Sequence, residues 1–495
     1  MITTIPREIF GLFCSYLNDK DAVQLGKCNK QILRDLSQND YGYKATKAVC
    51  IHQVFDQEQG CSRKSYLVGY FNSFIINDLD EVAHLPITTK HITFGYHFNK
   101  PITYVKLPHN LTHLTFGNKF NKPIDDLKLP KSGSFTHLTF GRDFNQPVHN
   151  LSLPYSLTQL QFGCAFDQPV DKLKLSSTHL THLTFGHSFN QSMEQVKLPS
   201  SLVYLKFGFW FDHCINNLAL QLHSLKYLDL GHYFKQPLHN LDLPPNLTYL
   251  VFDNWWNLPM DDLKLSSLKF LTHLTLGGLY INNFPSLEPL TSLSHLILGS
   301  RFNQSIDYIR LPSSLKHFEL GDSFNQPINN LVLPNSLTHL TFGNAFNHPV
   351  DLSSNSELTH LFFGSKFNQP AQQIKIAKCS KLSHLTFGYD FNQPVDQLRL
   401  PLSGSFTHLS LGPSFNQPVD ELQLPDSLQS LGFGWSFNQS INKLKLPFSG
   451  SFTHLILGMQ FYQCINDLKW PLSLTHVQVD DQIYSSVTEM TDNYS

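Results

Sequence analysis

The chain has 495 residues, a formal net charge of −2 and only 15% charged residues. This near-neutral balance, without any run of lysine and arginine, argues against nucleic acid as the main partner, because nucleic-acid-binding proteins carry a basic surface. No stretch reaches the ~20 apolar residues that a membrane-spanning helix needs. The composition therefore predicts a soluble protein without a nucleic-acid or membrane partner.

The cysteines and the start of the chain indicate a cellular compartment. The eight cysteines form no CxxC pair and no regular framework, which predicts free thiols in a reducing environment. The segment Met1–Arg7 lacks the basic start and the apolar core of a secretion signal. Both features favour a cytoplasmic location.

The first segment carries the apolar spacing of short helices. Apolar residues recur at helical intervals from residue 9 to residue 17. Pro6 suits a first helical turn, where its missing N–H costs nothing. Two further short helices are predicted over residues 21–27 and 29–36. Together they predict a three-helix bundle over residues 2–45 that is too small to be stable alone.

This segment resembles an F-box, through Ile5-Pro6-x-Glu8-Ile9, Phe13, Tyr16-Leu17 and Asp21-Ala22-Val23-x-Leu25. F-box proteins dock onto Skp1, the adaptor of cullin-RING ubiquitin ligases, so the resemblance implies a Skp1–cullin partner. It also implies that the adaptor-binding positions are Pro6, Ile9, Phe13, Leu17, Val23 and Leu25. The chain departs from the family at Ile5, where leucine is commoner, and it lacks the tryptophan often found near the end of the box. The alternative is an ordinary helical cap on the array that follows.

Residues 46–90 are predicted to form a packed connector and an irregular first coil. Apolar anchors such as Phe55 stand between polar stretches. The low content of glycine, proline and serine argues against a flexible tether.

Residues 91–479 repeat one unit, seen clearly in Leu337-Thr-His-Leu-Thr-Phe-Gly343 followed by Phe346-Asn347-His-Pro349. The step between copies is 21 to 24 residues, and Ser-Gly-Ser insertions at one corner account for several of the longer steps. Self-similarity at this period predicts stacked coils. We expect an elongated, mainly β solenoid of about eighteen coils, with strands about 4.8 Å apart. Residues 480–495 are a polar tail.

Each repeat has two predicted extended pieces, the longer Leu-Thr-His-Leu-Thr-Phe and the shorter Leu331-Val-Leu333-Pro334. The Phe-Asn-x-Pro sequence between them predicts a turn, because asparagine builds turns and proline fixes the backbone. Both leucines of the shorter piece are expected in the core. The asparagine that follows Phe346 is expected to form a ladder that bonds backbone groups at the turn.

Strand alternation assigns the two faces of the longer piece. It predicts that Leu337, Leu340 and Phe342 point into the core. It places His339 and Thr341 on the outer face.

The array resembles the FNIP repeat, a relative of leucine-rich repeats (LRRs) named after Phe-Asn-x-Pro. This resemblance covers nearly the whole chain and implies an LRR-like solenoid fold. An F-box followed by FNIP repeats is typical of social amoebae and of the giant viruses that infect amoebae. For a viral chain, the resemblance implies a virus–host interaction in the host cytoplasm.

Histidine occupies the third, outward strand position along most of the array. These residues are His91, His113, His137, His182, His273, His295, His317, His339, His360, His384, His408, His454 and His476. A row with one residue per coil offers zinc neither convergent ligands nor a second-shell acceptor, so we predict a structural ladder, bonded to threonine, and no metal. Since charged imidazoles repel each other, their pKa values should be depressed, and stability should fall as the pH drops through about 6.

Other solenoid functions fit the sequence less well. Ice-binding solenoids use flat Thr-x-Thr rows, whereas a histidine and a leucine separate the two threonines here. Solenoid lyases need clustered carboxylates, but the recurring aspartates, such as Asp125 and Asp351, all stand at one position just after the turn. No phosphate loop and no Gly-x-Ser-x-Gly elbow is present. The sequence predicts no catalytic residue, no cofactor and no enzymatic activity.

The outward row is different in the middle of the array, where it becomes tyrosine. The next outward row carries single charges there, and tryptophans stand at the adjoining turns. Exposed aromatic residues beside single charges are typical of binding hot spots. We therefore predict these target-binding residues: Tyr204, Lys206, Trp210, Tyr227, Asp229, Tyr249, Trp255 and Trp256. The alternative is repeat drift without a selected role.

The sequence as a whole favours the substrate-recognition subunit of an SCF-type, cullin-RING ubiquitin ligase. In this hypothesis the F-box docks Skp1 and the solenoid binds an unidentified target protein. The alternative is a non-catalytic interaction scaffold or decoy without a ubiquitin ligase role.

Overall fold

The computed structural model describes residues 49–50, 72–103, 105–215, 222–237, 242–252, 264–277, 286–402, 404–464, 468–479 and 482–484. The predicted F-box lies outside these ranges, as do Trp255, Trp256 and most of the predicted connector and tail. Within them, no helical segment combines the length and the apolar character needed to cross a bilayer.

The chain divides into two compact units, residues 1–236 and 237–495. The described strands of the first unit are β1 Val49–Cys50, β2 Ser73–Ile76, β3 His91–Phe94, β4 His113–Thr115, β5 His137–Thr139, β6 Gln159–Gln161, β7 His182–Thr184, β8 Tyr204–Lys206 and β9 Tyr227–Asp229. Each pairs in parallel with the next, in register.

The second unit continues the same architecture. Its described strands are β10 Tyr249–Phe252, β11 His273–Leu276, β12 His295–Leu298, β13 His317–Glu319, β14 His339–Thr341, β15 Val350–Asp351, β16 His360–Phe362, β17 Ile374–Lys375, β18 His384–Thr386, β19 His408–Ser410, β20 Ser430–Gly432, β21 His454–Leu457, β22 His476–Val479 and β23 Gln482–Tyr484. All but β15, β17 and β23 form one parallel sheet of successive coils; β23 pairs antiparallel with β22.

Short 3-10 turns interrupt some coils. They lie at Leu79–His84, Leu175–Ser177, Leu265–Ser267 and Ala371–Gln373. From β3 to β22, the strands of the main sheet begin 21 to 24 residues apart within each unit, as the repeat length predicts. Each coil therefore contributes one strand to the sheet, in the manner of an LRR solenoid.

The two faces of the strands follow the predicted alternation. Leu337, Leu340 and Phe342 are buried, whereas His339 and Thr341 are only half-buried on the outer face. The same residue positions fill the core in each coil, so burial of one apolar set specifies the register of the stack.

The stacked rings show that the coils of each unit are not evenly spaced. On the outer sheet face, the rings of His339 and His360 lie 4.3 Å apart. In the core, the rings of Phe346 and Phe367 from the same two coils lie 6.2 Å apart. Each coil is thus closest to its neighbour at the sheet and fans apart toward the turns.

Glycine follows most of the described strands of the main sheet, because the backbones of adjacent coils come very close there. A Cβ atom on Gly343 would lie 1.9 Å from the carbonyl oxygen of Gly321 in the preceding coil. No side chain fits at that distance, so the recurring glycine is a packing requirement of the stack.

The prediction of a second strand in every coil was wrong for the described residues. Only β15 and β17 pair there as a second ladder. Elsewhere the shorter piece closes on itself, as where Leu331 N–H donates to the carbonyl of Ile328 at 3.2 Å. Proline ends this piece and removes a ladder donor. Leu331 and Leu333 are half-buried in this coil, whereas Leu127 and Leu129 at the equivalent positions are buried in the core, as predicted.

Candidate functional site

The predicted asparagine ladder joins successive turns in both units. Asn347 N–H donates to the side-chain oxygen of Asn325 at 3.0 Å, and Asn368 N–H donates to the side-chain oxygen of Asn347 at 2.9 Å. The first unit repeats the contact between Asn145 and Asn121. The ladder fixes the turns that it joins and is therefore structural.

The glutamine of Phe-Asn-Gln-Pro is a second member of this ladder that sequence reasoning missed. Gln369 Nε2 donates to the side-chain oxygen of Asn347 at 3.0 Å, and Gln146 makes the same bond to Asn121 at 2.9 Å. Its recurrence at one position beside asparagine was the available signal.

The histidine row is a continuous ring stack in the second unit. From His273 to His408, adjacent rings lie 4.0 to 4.3 Å apart and nearly parallel. Ser430 separates this run from the stacked pair His454 and His476. In the first unit, Gln159 interrupts the row after His137. The predicted ladder of rings is therefore confirmed, in separate runs.

Hydrogen bonds to threonine fix the tautomer of these rings. Thr338 Oγ1 donates to the carbonyl oxygen of Lys316 at 3.0 Å and lies 2.9 Å from His339 Nδ1. Because the hydroxyl proton is committed to the carbonyl, Nδ1 must be the donor to Oγ1. The ring therefore keeps its proton on Nδ1 and leaves Nε2 as an acceptor.

This arrangement corrects one of the two reasons given against metal binding by the histidine row. A second-shell acceptor for Nδ1–H does exist, in the hydroxyl of Thr338. The ring nitrogens still do not converge on one point, since neighbouring rings stack nearly parallel. Among the residues that the structure describes, no group of three or more His, Cys, Asp or Glu side chains could hold a metal ion.

Burial and mutual proximity depress the basicity of the row. Burial, followed by the neighbouring histidines, lowers the pKa of His339 and of His384 to about 4. In the first unit the same causes lower the pKa of His113 to about 4. These three rings are therefore uncharged at neutral pH.

The predicted tyrosines of the first unit lie together. The rings of Tyr204 and Tyr227 stack at 4.3 Å with an interplanar angle of 12°. Both rings are half-buried, and burial, followed by the charge of Asp229, raises the pKa of the Tyr227 hydroxyl. They replace two histidines of the row without breaking the stack.

The two predicted charges form an ion pair beside these tyrosines. Lys206 Nζ lies 2.8 Å from Asp229 Oδ2 across the register of β8 and β9. Asp229 is 6% exposed and also accepts from Gly231 N–H at 3.0 Å. The carboxylate is thus a fixed part of the sheet, and the more exposed lysine is the partner that a ligand can reach.

An aromatic cluster at the adjoining turns completes this surface. Trp210 is 43% exposed and stacks on Tyr233 at 4.2 Å. Phe209 stacks between His187 and His232 at 4.4 and 4.2 Å. Lys235 Nζ lies 5.3 Å from the centre of the Tyr233 ring. Of this cluster, sequence reasoning found only Trp210.

We call the set formed by Tyr204, Lys206, Phe209, Trp210, Tyr227, Asp229 and Tyr233 the aromatic strip of the first unit. Tyr249 belongs to the second unit, where it is 38% exposed and stacks on His273 at 3.9 Å, and its part in target binding stays a prediction. Trp255 and Trp256 stay predictions, since they lie outside the described residues.

Asp351, one of the recurring aspartates after the turn, has a structural role. Asp351 Oδ1 accepts from the N–H and the hydroxyl of Ser353, as expected of turn chemistry. The hydroxyl of Ser353 and the ammonium of Lys375 hold the pKa of Asp351 at about 2. Cys164, Cys214, Cys379 and Cys464 are free thiols, as predicted.

Comparison with known proteins identifies the repeat. The FNIP Repeat family profile matches residues 81–119, 98–135, 120–165, 166–209, 279–323, 302–345, 402–436 and 415–458. These overlapping matches cover just over half of the chain. No curated protein sequence matches it.

Solved structures agree on the fold. The crystal structure of CroV588, described as a novel circular LRR protein, is 38% identical, with a TM-score of 0.64. The match covers 83% of this chain but only 60% of CroV588, so this chain spans less than two thirds of that protein.

Two bacterial structures overlap more weakly. The internalin InlF of Listeria monocytogenes is 19% identical with a TM-score of 0.40, over 61% of this chain and 87% of its own. The LRR protein LIC12759 of Leptospira interrogans is 17% identical with a TM-score of 0.46, over 77% of this chain and 94% of its own. Overlaps this low carry no argument about this chain. The family matches and the similarity to CroV588 together show that the chain belongs to the FNIP repeat family.

Proposed function

We propose that this protein is a target-binding receptor of an SCF-type ubiquitin ligase. Residues 2–45 dock Skp1, and the aromatic strip of the first unit captures the protein to be ubiquitinated. The chain itself catalyses nothing in this proposal; it raises the concentration of the target near the ligase. A cytoplasmic location, in the host cell for a viral chain, belongs to the same proposal.

The observation that carries target binding is the aromatic strip. Most of the outer face repeats histidine and threonine, which gives neighbouring coils nearly identical chemistry. The strip instead combines stacked aromatic rings with one lysine that is paired to a buried carboxylate. Aromatic anchors beside a few fixed charges are the usual composition of protein-binding hot spots.

The adaptor half of the proposal is supported by the sequence motif of residues 5–25 and by its place before FNIP repeats. A second candidate is an interaction scaffold or decoy that binds the same target without a ligase. The fold supports it equally, because an LRR-like solenoid suits protein binding in either setting.

Replacing the two stacked tyrosines of the strip with histidine, the usual residue of this row, tests target binding. The double variant Tyr204→His and Tyr227→His restores the residue that stacks at this position elsewhere, as His113 and His137 do at 3.9 Å. We expect an unchanged fold and at least a tenfold weaker affinity for partners captured by the full chain. Tyr249→His, on the other unit, should weaken capture less. Unchanged capture by the double variant would place the target site elsewhere.

Adaptor binding needs its own experiment. The full chain should co-purify with Skp1, and Pro6→Ala with Leu17→Ala should abolish this without reducing target capture. Failure of the wild-type chain to bind Skp1 would favour the scaffold.

A further inference from the structure

A partly exposed apolar row, which shares no residue with the aromatic strip, lies on the turns of the second unit. In four successive coils, the residue directly after the strand-ending glycine is Tyr389, Pro413, Trp435 and Met459. Tyr389 is 60% exposed and Trp435 is 57% exposed. In earlier coils of this unit, the same position holds polar residues such as Asn344 and Ser365.

Backbone hydrogen bonds hold these four residues in register. Ser414 N–H donates to the carbonyl of Tyr389 at 3.0 Å, and Ser436 N–H donates to the carbonyl of Pro413 at 2.8 Å. Gln460 N–H completes the series on the carbonyl of Trp435 at 3.0 Å. The four side chains therefore leave the backbone at equivalent points of consecutive coils.

The spacing of this row has a specific period. The backbone bonds between these coils keep them near the sheet spacing of about 4.8 Å at this position, outside the core where the phenylalanine rings fan apart, so the backbones at Tyr389 and Trp435, two coils apart, are about 9.6 Å apart. At the equivalent position of the first unit, the rings of His187, Phe209 and His232 follow one another at 4.4 and 4.2 Å. Tyr389 and Trp435 thus form two aromatic ridges, about 9 Å apart, on either side of the smaller Pro413.

That period matches an extended proline helix. A polyproline II segment has three residues per turn and rises about 3.1 Å per residue, so it repeats every ~9.3 Å. Proline-rich segments dock between aromatic side chains, and they lose little entropy on binding because they are already ordered. A proline of such a segment would lie over Pro413, between the exposed rings of Tyr389 and Trp435.

Charge gives the row a direction. Asp390 adjoins Tyr389 and pairs with Lys366 of the preceding coil at 2.9 Å, a pair in which both side chains are solvent-exposed. The other end is uncharged, with Ser436 beside Trp435 and Gln460 beyond. A basic residue of a ligand can compete with Lys366 for the carboxylate at one end only.

We propose that the row Tyr389, Pro413, Trp435 and Met459 binds a proline-rich segment of a partner protein in the polyproline II conformation. The segment lies along the stacking direction, places a proline between the two aromatic ridges and sets a basic residue against Asp390. The row belongs to the second unit and shares no residue with the aromatic strip of the first unit.

The test uses the full chain and a fluorescent peptide of one arginine followed by a run of prolines. We expect saturable binding below about 1 mM in fluorescence polarisation. Trp435→Ser and Tyr389→Ser, which install the residue found at Ser365, should each weaken binding at least about tenfold. Phe448→Ser removes another exposed aromatic ring of the same unit and should change nothing.

The decisive variant is Pro413→Trp, which fills the space between the two ridges and leaves both in place. The fold accepts tryptophan at this position, as Trp435 shows, and a thermal melt checks it. Polyproline docking predicts loss of binding, whereas general aromatic adhesion predicts tighter binding and would overturn the proposal. Equal affinity for a flexible peptide of one arginine followed by glycine and leucine would overturn it too, as would absence of any binding.

Discussion

The backbone N–H of Asn347 lies 3.0 Å from the side-chain oxygen of Asn325 in the preceding coil and donates to it. The side-chain oxygen of Asn347 in turn accepts from two groups of the following coil, the Asn368 N–H and Gln369 Nε2. This asparagine therefore links three coils at the turn.

Asn347→Ala should lower the free energy of unfolding by about 1–2 kcal/mol, because it removes the shared acceptor of two donors. Chemical denaturation checks the change, and hydrogen exchange at the Asn368 amide reports it locally.

Asn355 provides the matched contrast in the same unit. It is 2% exposed, and its Nδ2 has no hydrogen-bond partner. Asn355→Ala removes a buried unsatisfied donor, so stability should stay equal or rise. A larger loss at Asn355 than at Asn347 would contradict the ladder.

The recurring glycine that follows a strand and contacts the backbone of the preceding coil should tolerate no side chain. Gly343→Ala places a Cβ atom 1.9 Å from the carbonyl oxygen of Gly321, so the coils must move apart. We expect a loss of about 2–3 kcal/mol or more in thermal or chemical unfolding. Gly432→Ala is the control, because its Cβ would meet nothing closer than 3.8 Å. Similar behaviour of the two variants would argue against the close backbone approach.

The histidine row predicts loss of stability in acid. In the folded chain the pKa of His339 and of His384 is about 4, below the ~6.5 of an unfolded histidine. The unfolded chain therefore binds protons first, so stability is complete above pH ~6.5 and falls as the pH drops toward 4. Lys316 adds a like charge beside His317, and burial is the larger cause.

Thermal melts from pH 7.5 to pH 4 measure this dependence. His339→Gln, with the residue that Gln159 supplies naturally in the first unit, removes one titrating ring and divides the row. Its midpoint should fall less steeply with pH. A flat profile for the parent chain would refute the account of the row.

The tautomer can be measured directly. Nitrogen chemical shifts of the His339 ring at pH 7 should show the proton on Nδ1, because the hydroxyl of Thr338 is committed to a carbonyl. Thr338→Val removes this acceptor and should release the preference. A proton on Nε2 in the parent chain would contradict the hydrogen-bond assignment.

Repeated positions are what sequence reasoning predicts well. The inward direction of Leu340, the stacking of His339 and the bonding of Asn347 follow because every coil solves the same packing problem with the same residue. Turns were harder to predict, since their hydrogen bonds depend on the neighbouring coil. The second strand failed for a local reason: proline at its end and bonds such as that from Leu331 N–H to the carbonyl of Ile328 replace the expected ladder.

The binding surface was only partly predictable. The sequence singles out Tyr204 and Trp210 as departures from the repeat. The stacking of Trp210 on Tyr233 is seen only in the structure, where the turns of successive coils lie against each other. Phe209 and Tyr233 could have been predicted in the same way, because they are aromatic residues at turn positions that hold small or polar residues in most other coils.

Hydrogen exchange of the full chain, with and without a captured partner, tests most directly the claim that target recognition lies where the repeat departs from its pattern. The account predicts that protection on binding is greatest at residues 204–210 and 227–233. Protection spread along the uniform histidine row of residues 273–408, without change at Tyr204 and Tyr227, would contradict it.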